Sequence, residues 1–221
     1  MSYNFTRKKW PPSKLRNHIV SNVFTTTLVS EERKFIYTRI GRTASTAIVD
    51  SLGLGKGDME EVSLPYYRKR GTDDWLENIT DYEIENDYYK FTFVRNPFER
   101  LFSAWNAFNI RKRVVNNFSS FIIDRGPRNL RHEDGSFTND HWFPQSNYVE
   151  YSDGCSFIDY VGKFENLNND WEEVAGKING CGDISKRNYY SANYKEFYTE
   201  RLVDIVSDIY RRDLELFNYG F

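Results

Sequence analysis

Phe35-Ile-Tyr-Thr-Arg-Ile-Gly-Arg-Thr-Ala-Ser-Thr-Ala-Ile48 is the stretch of sequence that decides the fold. Its apolar start predicts a β-strand over residues 33–39, and its end predicts a helix from about Ser45 to Leu52. Gly41 stands between them and permits a tight turn close to a ligand. The first N–H groups of such a helix have no intrahelical partner and attract anions. The stretch therefore predicts a binding site for a phosphate or sulfate group.

The donors expected in this first anion site are two guanidinium groups, three hydroxyls and the backbone N–H groups of the loop. The pattern differs from the standard phosphate-binding loop, because a single glycine precedes the hydroxyls and no lysine stands before them. Taken alone, the stretch fits an ordinary strand-to-helix connection with a Ser/Thr cap equally well. The candidate binding residues are Arg39, Gly41, Arg42, Thr43, Ala44, Ser45 and Thr46.

A second stretch repeats the same arrangement. Residues 89–94 predict another strand, and Arg95 stands at its end. Asn96 suits the N-cap of the helix that follows, which is predicted from Pro97 to about residue 111. Ser103 lies about two turns into this helix. Since parallel strands open onto one edge of a sheet, the two stretches predict a ligand with two separated anionic groups.

Both stretches resemble motifs of the carbohydrate sulfotransferases, whose donor is 3′-phosphoadenosine 5′-phosphosulfate (PAPS). The first resembles the 5′-phosphosulfate-binding loop of that family and the second resembles its 3′-phosphate-binding motif. The resemblance continues through residues 141–145, 159–167 and 210–219, and thus covers the chain from about Phe35 to its end. It is closest to the branch that contains the heparan 2-O- and chondroitin 4-O-sulfotransferases.

The resemblance implies a three-layer, P-loop-like α/β fold around a short central parallel sheet. The alternation of strands and helices favours an α/β architecture independently. The chain's 221 residues suit a single domain, in which residues 1–30 are predicted to be a basic N-terminal extension.

The resemblance also implies the reaction, which is in-line transfer of a sulfuryl group from PAPS to a hydroxyl acceptor, and the expected acceptor is a carbohydrate. No metal is required. Arg42 would neutralise charge on the bridging oxygen of the donor. The loop N–H groups with Thr43, Ser45 and Thr46 would hold the 5′-phosphate, Arg95 and Ser103 would hold the 3′-phosphate, and Lys186 and Arg187 are further candidates for contacting the nucleotide.

The chain departs from the family in its catalytic groups. The family typically has Pro-Lys where this chain has Gly41-Arg42, and an arginine keeps the charge but cannot give up a proton. The segment before the second strand often carries a catalytic His or Glu in the family and has no His here, although Glu83 and Glu85 are candidate substitutes. His141 is the expected general base, because imidazole suits proton abstraction near neutral pH. The alternative is that His141 only packs or contacts the acceptor.

Composition limits the classes of partner. With 39% hydrophobic and 28% charged residues the chain is globular, and a net charge of −2 gives no general attraction to nucleic acid or membranes. Two cysteines make no disulfide framework and show no metal-ligand spacing. No signal peptide or membrane-length apolar run is visible, so we expect a soluble, cytoplasmic protein.

Two alternative functions remain open at this stage. A P-loop-like kinase or nucleotide hydrolase would need a loop lysine and a Mg²⁺-binding carboxylate after a strand. A catalytically inactive nucleotide-binding module of the same fold is compatible with the missing upstream histidine and the arginine at position 42. The sequence predicts no oligomeric state.

Overall fold

A computed structural model describes residues 27–30, 33–52, 86–112, 117–125, 140–150, 156, 158–179, 183–184 and 193–221. The strands within these ranges are β1 Thr27–Ser30, β2 Phe35–Thr38, β3 Tyr89–Val94 and β4 Tyr160–Lys163. The α-helices are α1 Ser45–Ser51, α2 Pro97–Lys112, α3 Phe118–Ser120, α4 Leu167–Ile178, α5 Glu200–Ile209 and α6 Arg211–Phe217, and α3 continues as a π-helical segment, Phe121–Arg125. Short 3-10 helices occupy Asp140–Trp142, Gln145–Tyr148, Phe164–Asn166 and Tyr194–Phe197.

The strands form one sheet in the order β1-β2-β3-β4, in which β2, β3 and β4 are parallel. Phe35 of β2 lies opposite Tyr89 of β3, and Phe91 lies opposite Tyr160 of β4. This arrangement confirms the predicted α/β fold with a short parallel sheet. It also means that the residues following β2 and β3 emerge at the same edge.

The predicted limit of the N-terminal extension is wrong at its end. Thr27–Ser30 form β1, which pairs antiparallel with β2 and places Leu28 opposite Tyr37. Four residues are too few for an alternating pattern to stand out in the sequence, and this strand is specified by backbone pairing with β2. Residues 1–26 lie outside the described residues.

Two hydrophobic clusters hold the helices in place. The first lies between the sheet and helices α1 and α4, and its largest members are Phe35, Tyr37, Phe91, Phe93 and Trp171. The second joins α2 and the π-helical segment to α5, and it includes Phe98, Leu101, Phe118, Trp142 and Leu202. The second cluster seats α2, the helix that follows the second predicted anion-binding stretch.

Side-chain caps begin α2 and α5, and the first of these caps was predicted from the sequence. Phe98 N donates to Asn96 Oδ1 over 3.0 Å, so Asn96 caps α2. Thr199 Oγ1 accepts from Leu202 N at 3.4 Å and caps α5. The C-terminal helical segment is divided in two, because α5 ends and α6 begins around Tyr210.

Candidate functional site

The loop between β2 and α1 has an unusual backbone. Arg42 and Ala44 both lie in the left-handed region, with φ of 72° and 65°. Ala44 is the N-cap residue of α1 and makes no side-chain cap hydrogen bond. The alternative of an ordinary Ser/Thr cap is therefore not what the structure shows. Left-handed residues in such a loop are compatible with the concave backbone nests that bind anions.

Gly41 is required for a different reason from the one its position suggested. Its φ lies outside the left-handed region, and the turn is made by Arg42 and Ala44. A Cβ atom at Gly41 would lie 3.3 Å from His141 Nδ1 and 3.4 Å from His141 Cα. The glycine therefore permits the close approach of His141, which the fold places directly against the loop.

Arg42 joins the two predicted anion sites. Its Nη2 donates to Ser103 Oγ over 2.8 Å, and its Nε lies 3.2 Å from the same oxygen. Both side chains are half-buried. The sequence predicted these residues for opposite ends of a nucleotide, yet the fold puts them in direct contact. The two stretches therefore form one continuous site.

The remaining residues of the loop differ in their exposure. Thr43 is fully buried and its hydroxyl donates to Ile40 O over 2.8 Å. The hydroxyl proton is therefore engaged in a hydrogen bond within the loop. This geometry argues against the predicted role of the Thr43 hydroxyl as a ligand donor. Arg39 and Ser45 are half-buried, and Thr46 is exposed.

Arg95 lies beside this loop at the end of β3, but its guanidinium group already has partners. The side chain is buried, its Nη2 pairs with Glu99 Oε1 at 2.7 Å, and its Nη1 lies 3.4 Å from Arg42 O. The guanidinium also stacks over the Phe164 ring, 3.9 Å from its centroid. Arg95 Nε has no hydrogen-bond partner among the described residues. Sequence reasoning missed Glu99, although its i, i+4 spacing from Arg95 was a visible signal.

Arg100 is a second residue of the site that sequence reasoning did not assign. Its side chain is fully buried. Its Nε donates to Gly41 O over 2.9 Å, and its Nη1 donates to Phe143 O over 2.7 Å. One guanidinium group thus ties the loop between β2 and α1 to the segment that carries His141. The motif that contains Arg100 was recognised, but nothing local in the sequence indicates these partners.

Buried polar groups hold the 140–150 segment from the other side. Asp213 of α6 is fully buried and accepts from the N–H groups of Gln145 and Ser146, at 2.7 Å each. Burial raises the pKa of this carboxyl group, while the two N–H donors and the charge of Arg100 act in the opposite direction. Tyr210 OH donates to Trp142 O. These contacts anchor the His141 segment to the last two helices.

Several predicted residues lie elsewhere. Arg187 and its neighbour Lys186 lie outside the described residues, as do Glu83 and Glu85, and their roles stay predictions. Glu165, which follows β4, is exposed. Its carboxylate accepts from Asn96 N at 2.7 Å and from Tyr219 OH at 2.8 Å, so it supports the start of α2.

The fold and this site together define an α/β protein with two arginine-bearing loops, the predicted anion sites, at one edge of a parallel sheet. The sequence model described as "Sulfotransferase family" matches residues 25–220, and the chain belongs to that family. No solved structure gives a significant match. Within the described ranges, no helix combines the length and apolarity needed to cross a membrane.

Curated relatives point to the same family. Carbohydrate sulfotransferase 14 of Mus musculus is 28% identical over 171 residues, which are 66% of this chain and 45% of the relative. The Homo sapiens protein of that name is 27% identical with the same coverage. The Danio rerio protein is 25% identical over 177 residues, which are 68% of this chain and 47% of the relative. The chain thus spans about half the length of the curated relatives it matches. The resemblance to carbohydrate sulfotransferases is confirmed, while the branch stays a prediction.

Proposed function

We propose that this protein transfers the sulfuryl group of PAPS to a hydroxyl group, with a carbohydrate as the class of acceptor. The observation that carries the proposal is the contact between Arg42 and Ser103, with Arg95 Nη1 3.4 Å from Arg42 O. It gathers groups that follow two parallel strands into one cationic site. The family membership and the names of the relatives support the same reaction.

The residues present fit a donor with two anionic ends. At one end are Arg42, Ser45, Thr46 and the backbone N–H groups of the loop, which would hold the 5′-phosphosulfate. At the other end are Ser103 and Arg95, whose buried Nε lacks a partner among the described residues. When bound, PAPS supplies an activated sulfuryl group on a phosphate leaving group.

Arg42 stabilises the negative charge that develops on the leaving phosphate. Its guanidinium is held against Ser103 Oγ, so it is oriented before the donor arrives and needs little reorganisation during the reaction. This electrostatic role needs a fixed positive charge and no proton transfer. An arginine can therefore replace the lysine that the family typically has at this position.

His141 is the group best placed to accept the proton of the acceptor hydroxyl. It lies against Gly41, one residue from Arg42, and Arg100 fixes both the loop and the His141 segment. A base held beside the charge-stabilising residue can act on the oxygen that attacks the sulfuryl group. Glu99 shares Arg95 with the 3′-phosphate and thereby keeps this buried cation paired when no nucleotide is bound.

The proposal is tested by calorimetric titration with adenosine 3′,5′-bisphosphate and with ADP, each without metal. We expect the bisphosphate to bind at least about tenfold more tightly, since only it engages both arginine loops. A preference for ADP that requires Mg²⁺ would contradict the proposal and favour a kinase or hydrolase. Absence of binding by either nucleotide would also contradict it.

Turnover is then tested with PAPS and a panel of hydroxyl acceptors, including mono- and oligosaccharides. Arg42→Ala should lower kcat by about 10²–10³-fold, as expected for loss of one charge-stabilising donor. His141→Ala should lower kcat by about 10²–10⁴-fold without weakening bisphosphate binding. Arg211→Ala is the matched control, because Arg211 is 71% exposed and pairs only with Asp208 among the described partners. It should leave both quantities unchanged.

A further inference from the structure

Gln145 makes an unusual pair of contacts at the end of β3. Its Oε1 accepts from Arg95 N at 2.9 Å, and its Nε2 donates to Arg95 O at 2.8 Å. The pairing of β3 with β4 ends one residue earlier, at Val94 opposite Lys163. The fully buried amide of Gln145 therefore does for Arg95 what a neighbouring strand does for the residues before it.

Asp213 fixes the orientation of the Gln145 side-chain amide. Asp213 Oδ2 accepts from Gln145 N at 2.7 Å and lies 3.4 Å from Gln145 Nε2. A flipped amide would turn its oxygen toward both Arg95 O and the carboxylate. It would lose both side-chain bonds to the Arg95 backbone and the contact of Nε2 with Asp213, while the bond from Gln145 N would remain. A chain of contacts thus runs from α6 through Gln145 to the backbone of Arg95.

This backbone governs where the guanidinium of Arg95 lies. The guanidinium is clamped between Glu99, Arg42 O and the face of Phe164, with little room to compensate for a shift of its own main chain. A small rotation of the Arg95 peptide is magnified at the end of so long a side chain. The group that fixes the peptide therefore also fixes the cation.

We propose that Gln145 is a positioning residue that sets selectivity for a nucleotide carrying a 3′-phosphate. The inference rests on the proposed function, in which Arg95 binds that phosphate. Gln145 does not touch the nucleotide and acts through Arg95. Because it lies four residues after His141 on the same anchored segment, it also keeps the 3′-phosphate end in register with the base.

Selectivity is the quantity that tests this role, because a merely structural role would leave it unchanged. The ratio of Kd for AMP to Kd for adenosine 3′,5′-bisphosphate is measured for the wild type, Gln145→Glu and Gln145→Met. We expect both variants to lower the ratio about tenfold, mainly by weakening the bisphosphate, while AMP binding changes by less than about twofold. Steady-state kinetics with PAPS should show a raised donor KM and a nearly unchanged acceptor KM.

Ser51→Ala is the matched control for lost stability. Ser51 is buried and donates to Asp183 O over 3.1 Å, so this variant also loses a side-chain hydrogen bond, which is partly buried. Its selectivity ratio should equal that of the wild type. Folded Gln145 variants that keep the wild-type ratio would overturn the inference. A wild type that does not distinguish the two nucleotides would instead contradict the proposed function, and the inference with it.

A second measurement uses the unaltered protein and so does not depend on the variants folding. Gln145 is the only glutamine in the chain, so selective labelling with ¹⁵N-glutamine gives a single pair of side-chain amide signals. We expect these signals to shift on titration with adenosine 3′,5′-bisphosphate, with the Kd found by calorimetry, and to stay in place with AMP. Identical responses to the two nucleotides would overturn the inference.

Discussion

Arg42 combines a strained backbone with the central charge of the site. A non-glycine residue at φ 72° costs about 1–2 kcal/mol relative to the right-handed region. Glycine would relieve that cost, but it has no side chain to place against Ser103. The strain is tolerated because the same residue supplies the guanidinium, which bonds Ser103 Oγ, and the carbonyl that faces Arg95.

Replacing Arg42 by glycine and by alanine separates strain from function. Both variants lose the guanidinium, so both should lose sulfuryl transfer to a similar extent. Arg42→Gly should have a free energy of unfolding about 0.5–1 kcal/mol higher than Arg42→Ala, because only glycine adopts this φ without steric cost. Urea denaturation measures the difference. Equal stability of the two variants would show that the left-handed conformation carries no strain.

Gly41→Ala tests the close approach of His141. The added methyl group would lie 3.3–3.4 Å from Nδ1 and Cα of His141, so the His141 segment must move by a few tenths of an ångström. We expect kcat to fall by about 10–100-fold, because a small misplacement of a base is costly to catalysis. Binding of adenosine 3′,5′-bisphosphate should change by less than about threefold, since the backbone of the loop is kept. A variant with wild-type kcat would contradict the placement of His141 as the base.

The chemistry of individual residues could be predicted from the sequence better than their partners could. Arg42, Ser103 and His141 could be singled out as candidates, because charged, hydroxyl and imidazole groups follow strands or family-like segments, and the structure places all three around one loop. Their contacts could not be predicted, since Arg42 and Ser103 are 61 residues apart and meet only when β2 and β3 pair. For the same reason, the contact between Gln145 and Arg95 could not be predicted, since the two residues lie 50 positions apart.

At the scale of elements, local signals gave the bounds of the regular structure closely. β3 and α2 have the predicted residues or nearly so, because apolar periodicity and caps are short-range features. β1 was missed, since an edge strand of four residues is specified by its neighbour. The elements that carry the site are thus locally encoded, while the edge that completes the sheet is not.

Gly162 of β4, like Gly41, leaves room for a neighbouring side chain to approach the backbone closely. A Cβ atom there would lie 2.4 Å from Phe93 Cε1 and 2.7 Å from its Cδ1, and Phe93 is fully buried beside Trp171. Gly162→Ala should therefore lower the free energy of unfolding by about 1–3 kcal/mol, as overpacking does in other cores. Thermal and urea denaturation measure the change.

Gly176→Ala is the matched control for that substitution. Gly176 lies within α4, and a Cβ atom there would meet no neighbour within 4 Å in the part of the chain that the structure describes. Alanine should raise stability by about 0.5–1 kcal/mol, because glycine is a poor helix former. A Gly162→Ala variant as stable as Gly176→Ala would show that β4 does not pack on Phe93 as described.

At the scale of the whole molecule, the two C-terminal helices act as the support of the site. Tyr210 bonds Trp142 O, Asp213 bonds the N–H groups of Gln145 and Ser146, and Arg212 pairs with Glu150. All these partners lie on the segment that begins with His141. Because every bond spans 60 or more residues, no local sequence pattern indicates that α5 and α6 support the edge of the sheet that carries the candidate site.

Tyr210 gives this support a pH dependence. Burial raises the pKa of its phenol above the usual value of 10, the nearby Arg100 lowers it and Asp213 raises it further. A group whose pKa is higher in the folded state stabilises the fold fully below its unfolded pKa, and this contribution is lost as pH rises above about 10.

The stability difference between wild type and Tyr210→Phe should therefore be about 1 kcal/mol at pH 8, the value of one buried hydrogen bond. It should then shrink by up to about 1.4 kcal/mol per pH unit above pH 10. Urea denaturation of both proteins from pH 8 to pH 11 measures this difference. The other tyrosines are present in both proteins, so their contributions to the pH dependence cancel in the difference. A difference that stays constant over this range would show that the phenol of Tyr210 is not buried against Trp142, and that the C-terminal helices do not anchor the His141 segment in this way.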